Sequence, residues 1–185
     1  MRVIAGSARS LALKTIEGLG TRPTTDRIKE TLFNMLNKNI PDCYFVDVFS
    51  GSGGIGIEAL SRGAKKCVFI ENNKDAAKCI KDNLKFTKLE ENATVLECDY
   101  LSGLSIISKK DEPIDIIFMD PPYNMEYERK ALDFLKDKDI IDEYTTIIVE
   151  ASLETEMDYV RDMGFNVYKV KEYKTNKHIF IEKKV

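Results

Sequence analysis

From about residue 40 onward, short apolar runs and amphipathic stretches take turns along the chain. Tyr44-Phe45-Val46-Asp47-Val48-Phe49 is apolar at all but one position, the pattern of a strand buried on both faces. A glycine-rich stretch follows, and then Ile55, Ile57, Ala59 and Leu60 predict a helix over 55–62. Cys67-Val68-Phe69-Ile70 predicts the next strand, and Asn73 is placed to cap a helix whose apolar face is Ala76, Ala77, Ile80 and Leu84. Strands are expected at 93–97 and 114–119, a helix near 129–135, a strand at 146–149 and a helix near 154–163. Two β segments, 165–170 and 178–181, close the pattern. Buried strands alternating with helices predict an α/β fold: a doubly wound, mostly parallel, Rossmann-like sheet with an antiparallel hairpin at one edge.

The first 40 residues break the alternation. Two short strands, 2–5 and 11–15, flank Gly6-Ser7-Ala8-Arg9-Ser10. A helix then carries Ile28, Leu32, Met35 and Leu36 on one side, with Thr24 or Thr25 to cap it and Asp26 at its positive end. The expected division is an appendage over 1–40 and a sheet domain over 41–185. No apolar run approaches the ~18 residues of a membrane span. The start lacks a long apolar stretch before a small-residue cleavage site, so a cytoplasmic protein is expected. Cys43, Cys67, Cys79 and Cys98 form no CxxC pair and are joined by a single histidine, so no metal site is expected.

Charge adds a hint about partners. The net charge is −3, yet residues 1–38 and 169–185 each carry +4, leaving −11 on the stretch between. Basic ends around an acidic middle suggest an anionic partner meeting one part of the surface.

Asp47-Val48-Phe49-Ser50-Gly51-Ser52-Gly53-Gly54-Ile55-Gly56 joins the first sheet strand to its helix, and Glu71 stands twenty residues beyond Gly51 at the tip of the next strand. GxGxxG followed by such an acid matches a dinucleotide fingerprint, the acid serving a ribose. S-adenosylmethionine needs the same acid. A carboxylate ahead of the loop repels a pyrophosphate but suits the ammonium of a methionine moiety, and Asp47 tips the reading that way. Asp99, after the third strand, is placed to reach an adenine amino group.

Asp120-Pro121-Pro122-Tyr123 directly follows the apolar run that ends at Met119, so it lies at a strand's carboxyl end, where ligands bind in open α/β sheets. Two prolines stiffen the turn and remove two N–H donors. What remains is an acid, an unpaired carbonyl and an aromatic face. A planar exocyclic amine on a nucleobase needs acceptors for its hydrogens and a surface for its ring.

With these motifs the chain resembles class I S-adenosylmethionine-dependent methyltransferases. More narrowly it is similar to the RsmD family, which methylates N2 of one guanine in 16S ribosomal RNA. The resemblance runs almost end to end. It rests on Arg2-Val3-Ile4-Ala5-Gly6, on Arg22-Pro23-Thr24-Thr25-Asp26-Arg27-Ile28-Lys29-Glu30-Thr31-Leu32-Phe33-Asn34, on the glycine loop with the helix through Gly63, and on the Asp120 turn. It implies S-adenosylmethionine held by Asp47, Phe49, Gly51, Ser52, Gly53, Glu71, Asn72 and Asp99, with Asp120, Pro121, Pro122 and Tyr123 at the reaction centre. Candidate RNA contacts are Arg9, Arg22, Thr24, Arg27 and Lys29. The partner implied is ribosomal RNA, within an assembled or partly assembled small subunit, met by a monomer. DNA or protein-glutamine amino-methylation are the neighbouring readings. An NAD-dependent oxidoreductase would leave Asp47 and the Asp120 turn unexplained.

Overall fold

In the computed structural model, residues 1–16, 25–110, 112–123 and 125–184 are described. Strands β1 (Tyr44–Val48), β2 (Lys66–Ile70), β3 (Ala93–Leu96), β4 (Ile116–Met119) and β5 (Thr146–Ser152) are parallel, as their apolar runs predict. Strands β6 (Phe165–Glu172) and β7 (Asn176–Lys183) form the antiparallel edge, β7 pairing with β5. The order is β3-β2-β1-β4-β5-β7-β6. Every residue of β1 and β4 is buried, because helices cover both faces.

Helices α1 (Asp26–Leu36), α2 (Gly54–Ser61) and α3 (Lys74–Thr87) pack on the face that presents Phe45, Phe69 and Phe118. Helices α4 (Tyr100–Ser108) and α5 (Tyr127–Leu135) cover Val46, Val48 and Ile117 on the other. Thr25 caps α1 by accepting from the Ile28 amide, and Asn73 caps α3 by accepting from Asp75 and Ala76. Each such cap contributes ~1 kcal/mol. No described helix is long and apolar enough to cross a membrane.

Three elements differ from the sequence expectation. Helix α4 was not foreseen: it is short, carries Gly103 in mid-helix, and its cap, Asp99, resembles any loop acid. The helix expected over 154–163 is only a 3₁₀ turn at Asp158–Arg161. There Thr155 bonds back to Ser152 through its amide and its hydroxyl, which competes with helix initiation. The N-terminal hairpin reduces to one bridge, Arg2 with Ala12, flanked by Val3–Leu11 and Ser10–Val3 backbone bonds.

That N-terminal segment is tied to the sheet domain at Ser61, which takes the Ser7 and Ala8 amides, at Asn83, which takes the Lys14 amide, and at one buried carboxylate. Glu58 of α2 is fully buried and accepts from the amides of Ile4 (2.8 Å) and Ala5 (3.0 Å), from Arg62 Nε (2.7 Å) and from Lys29 Nζ (3.3 Å). Lys29, expected to touch RNA phosphate, is instead sealed inside, where its ammonium also donates to the Arg2 carbonyl at 2.6 Å. Burial pulls its pKa down and outweighs the opposing pull of Glu58. Spacings of three residues to Leu32 and seven to Leu36 already set Lys29 on the apolar side of α1; its charge suggested otherwise. Gly6 completes the junction: a Cβ there would lie 1.7 Å from the Ser61 carbonyl oxygen, so no other residue fits without moving the backbone.

Replacing Glu58 by Ala leaves a buried ammonium uncompensated and is expected to cost about 3–5 kcal/mol. Urea unfolding measures this, and hydrogen exchange should show the Ile4 and Ala5 amides losing protection first. A loss below about 1 kcal/mol would contradict the assignment.

Candidate active site

The strand order reverses at β1, which pairs with β2 on one side and β4 on the other. Crossovers leave in opposite directions from that point, so a crevice opens above the carboxyl ends of β1 and β4. A cavity of about 290 Å³ occupies it. One wall is the loop after β1, from Phe49 to Ser52, with Gly54 and Ile55. Glu71, Asn72 and Asn73 form a second, and Asp47, Phe118, Asp120 and Pro122 form the floor. Met1, Thr15 and Ile16 close the remaining side, a contribution that nothing in the sequence pattern signalled.

The loop is built by internal hydrogen bonds. Gly51 and Gly53 take positive φ of 56° and 82°, which glycine adopts at little cost. The Gly51 amide donates to Glu71 Oε2 (2.8 Å), the Gly53 amide to the Ser50 carbonyl (2.8 Å) and the Gly56 amide to Asp47 Oδ2 (2.9 Å). Ser50 braces the turn from beneath, donating to the Asp47 carbonyl at 2.6 Å and accepting from the Ile70 amide at 3.1 Å. Phe49 also sits at positive φ, 63°, a strained state for a side chain of its size. Its ring is held there by Tyr100 (centroids 5.0 Å) and Tyr127 (6.0 Å).

Asp47 is buried beneath this loop. Burial pushes its carboxyl up to about 7; the Gly56 amide works against the shift and the Glu71 charge adds to it. Asp120 is held well above the usual carboxylate range by burial, then by Glu150 and Asp47. The Asp120 amide reaches back to the Val48 carbonyl at 3.4 Å, hooking the turn to β1. Pro121 is buried and Pro122 exposed. Tyr123 is 44% exposed at the end of the turn. Burial and the charges of Glu150 and Asp120 push its hydroxyl up to about 12.

The structure thus gathers Asp47, Phe49, Gly51, Ser52, Glu71, Asn72, Asp120 and Pro122 around one cavity, with Gly53 shaping the turn and Pro121 and Tyr123 adjoining. Asp99 is not in its walls: the side chain is spent on the cap of α4, accepting from the Ser102 amide at 3.0 Å, and the Ser102 side chain, then that amide, hold its pKa down. Arg9 and Arg27 are exposed, and Asp26 pairs with Arg2 at 3.0 Å. Arg22 and Thr24 lie outside the described residues. Sequence reasoning did not assign a role to Glu150, which stands near Asp120; its one signal was an acid in the buried run Ile147-Ile148-Val149-Glu150.

A sheet of this order with an acid-floored cavity at the β1–β4 switch defines a class I methyltransferase fold. Over residues 1–182 the chain matches the family described as conserved hypothetical protein 95. It is 38% identical to Ribosomal RNA small subunit methyltransferase D of Haemophilus influenzae, across 81% of this chain and 78% of that one. The Escherichia coli protein of the same name is 35% identical, across 83% and 76%. The solved structure of yhhF from Escherichia coli superposes with a TM-score of 0.83 at 30% identity, covering 100% of this chain and 98% of the other. The chain belongs to the RsmD family.

The raised Asp47 carboxyl makes a pH prediction. A carboxyl that keeps its proton to higher pH when folded contributes stability that is whole below about pH 4 and is lost as pH climbs through about 7. Asp120, displaced in the same direction, steepens that fall. Urea unfolding from pH 4 to 8 should therefore show stability falling, and Asp47→Asn should flatten the slope. An unaltered slope in the variant would place the responsible proton elsewhere.

Proposed function

We propose that this protein transfers the methyl group of S-adenosylmethionine to the exocyclic N2 amine of a guanine in small-subunit (16S) ribosomal RNA. One observation carries the reading: a single cavity runs from the acid-braced glycine loop to Asp120, joining a donor pocket to a turn suited to an amine. The names of the 35–38% identical relatives support ribosomal RNA as the acceptor.

The choice of cofactor follows from where the loop amides point. A pyrophosphate is held by free amides at a helix start. Here the Gly51, Gly53 and Gly56 amides are all spent on Glu71, Ser50 and Asp47. Three acids, Asp47, Glu71 and Asp120, line the cavity with no Lys or Arg side chain among the described lining residues, which disfavours a dinucleotide and favours a cation. Glu71 stands where a ribose hydroxyl would meet it, and Asp47 where an ammonium would.

Bound S-adenosylmethionine supplies an electrophilic methyl group; the chain's own residues prepare the acceptor. A guanine N2 lone pair is delocalised into its ring and attacks poorly. The Asp120 carboxylate and the Pro121 carbonyl accept the two amine hydrogens, which favours a pyramidal nitrogen with its lone pair directed at the methyl. Tyr123 stacks on the extruded base, worth ~1–3 kcal/mol. Most of the acceleration then comes from orientation. Arg9 and Arg27 contact phosphates, which position the RNA without specifying sequence. The protein acts as a monomer in the cytoplasm on an assembled or partly assembled subunit, whose other components supplement its modest positive charge.

Asp120→Ala is expected to abolish turnover while S-adenosylhomocysteine binding, followed by calorimetry, stays within a few-fold. Full activity in that variant would sink the assignment. For the acceptor, labelled S-adenosylmethionine is incubated with small subunits from a strain lacking the protein, and the product is mapped by nuclease digestion. Label in one N2-methylguanosine is the expected result, and label in DNA or protein alone would redirect it.

A further inference from the structure

The sheet registers place a second carboxylate beside Asp120. Met119 pairs with Val149 as the last β4–β5 pair, and Asp120 and Glu150 each follow by one residue, close enough for the Glu150 charge to act on Asp120. Glu150 in turn pairs with His178 of β7. Neighbouring strands lie about 4.8 Å apart, and matched positions share a face. Both Glu150 and His178 are almost wholly buried. His178 Nε2 lies 3.1 Å from Glu150 Oε2, Asn176 Nδ2 donates to Glu150 Oε1 at 2.7 Å, and the Tyr173 hydroxyl lies 3.1 Å from His178 Nδ1. An imidazole protonated on Nε2 satisfies the whole chain: Tyr173 donates to Nδ1 and His178 donates to Glu150. Phe118 meets the His178 ring edge-on at 5.9 Å and fixes its plane.

Packing alone does not call for this arrangement. Aliphatic side chains at 150 and 178 would continue the core of Ile148 and Phe180 without the desolvation cost of a buried acid.

We propose that Glu150 is a positioning residue for the reaction: held by His178 and Asn176, and through His178 by Tyr173, it pairs with Asp120 so that Asp120 receives the proton given up by the acceptor amine. This rests on the methyl-transfer reading of the Asp120 turn. As the amine nitrogen bonds to the methyl carbon, the carbon–sulfur bond breaks and sulfur keeps its electron pair. The nitrogen then sheds one hydrogen as a proton to Asp120, and solvent takes that proton once product leaves.

Two adjacent carboxyls hold one proton between them more readily than none. Among the described residues, Asn176 donates to Glu150 Oε1 and His178 Nε2 meets Oε2, so both oxygens are engaged and Asp120 is the better placed to take the proton. Among the described residues, the titratable groups facing the pair are Asp47 from β1, Tyr123 from the Asp120 turn itself, His178 from β7 and Tyr173 from the turn between β6 and β7. Burial and the Glu150 charge both raise the proton affinity of Asp120, in keeping with this direction. A cation in the neighbouring cavity favours ionised Asp120 before transfer begins.

His178 is the only histidine in the chain, so its ring nitrogens can be followed by nitrogen-15 NMR in the free protein without overlap. The expected spectrum is that of the Nε2-protonated tautomer, with ring shifts that move in Asp120→Asn and a tautomer balance that moves in Tyr173→Phe. Single-turnover methyl transfer as a function of pH gives the second readout. Glu150→Gln should move the acid limb to lower pH and cut the plateau about a hundredfold, the low end for a positioned proton acceptor. S-adenosylhomocysteine binding should stay within a few-fold. Tyr173→Phe, which deletes one partly exposed hydroxyl and spares the fold, should move the limb the same way by less. An unmoved acid limb in both variants, or His178 shifts blind to Asp120→Asn, would overturn the proposal. A His178 response without any transfer to small subunits would sustain the carboxyl pair and remove the guanine acceptor instead.

Discussion

The reversal of strand order at β1 is the constraint on which the site depends. Because β1 is flanked by β2 and β4, the loop that follows it and the turn that follows β4 must share one crevice. Glu71, one strand out on one side, and Glu150, two strands out on the other, then fall along the same edge. Parallel registers turn residues as distant in sequence as 47, 71, 120 and 150 into near neighbours with no flexible segment needed to bring them together.

Much of this was legible from hydrophobic pattern, because parallel strands covered on both faces leave unbroken apolar runs with few alternatives. The acids at the strand tips were legible for the same reason, since each ends such a run. What escaped was encoded in contacts rather than period. Helix α4 is only nine residues long, and Gly103 and three serines interrupt its apolar positions, so no helical face stands out. Asp99 lies three residues beyond the end of β3, and only the position of α4 reveals that its carboxylate belongs to a cap. Lys29 was misplaced because charge was weighed above position: a lysine on the apolar side of a helix is buried if an acid awaits it, and Glu58 lies 29 residues away with nothing local to announce it.

The site concentrates conformational and electrostatic cost in a small volume. Phe49 holds a left-handed backbone, Asp47 and Asp120 carry carboxyls that burial makes reluctant to ionise, and Glu150 is placed against one of them. These features work against the free protein, and the crowded carboxyls share one relief: positive charge entering the cavity. A pocket arranged in this way is less comfortable empty than filled, so the stability of the edge is linked to occupancy.

The junction at Glu58 bears on how the N-terminal segment can evolve. Its attachment uses two backbone amides, one lysine from the segment itself, one arginine from the helix it docks on, and a glycine pressed against a carbonyl. Of these, the buried Lys29–Glu58 pair and the pressed glycine are the least open to single changes. Segment and sheet therefore form an inseparable inheritance. A segment borrowed from a relative would seat only if Lys29, Glu58, Arg62 and the Gly6–Ser61 contact travelled with it, so this part of the chain should vary at its exposed turn around Arg9 rather than by exchange of the whole segment.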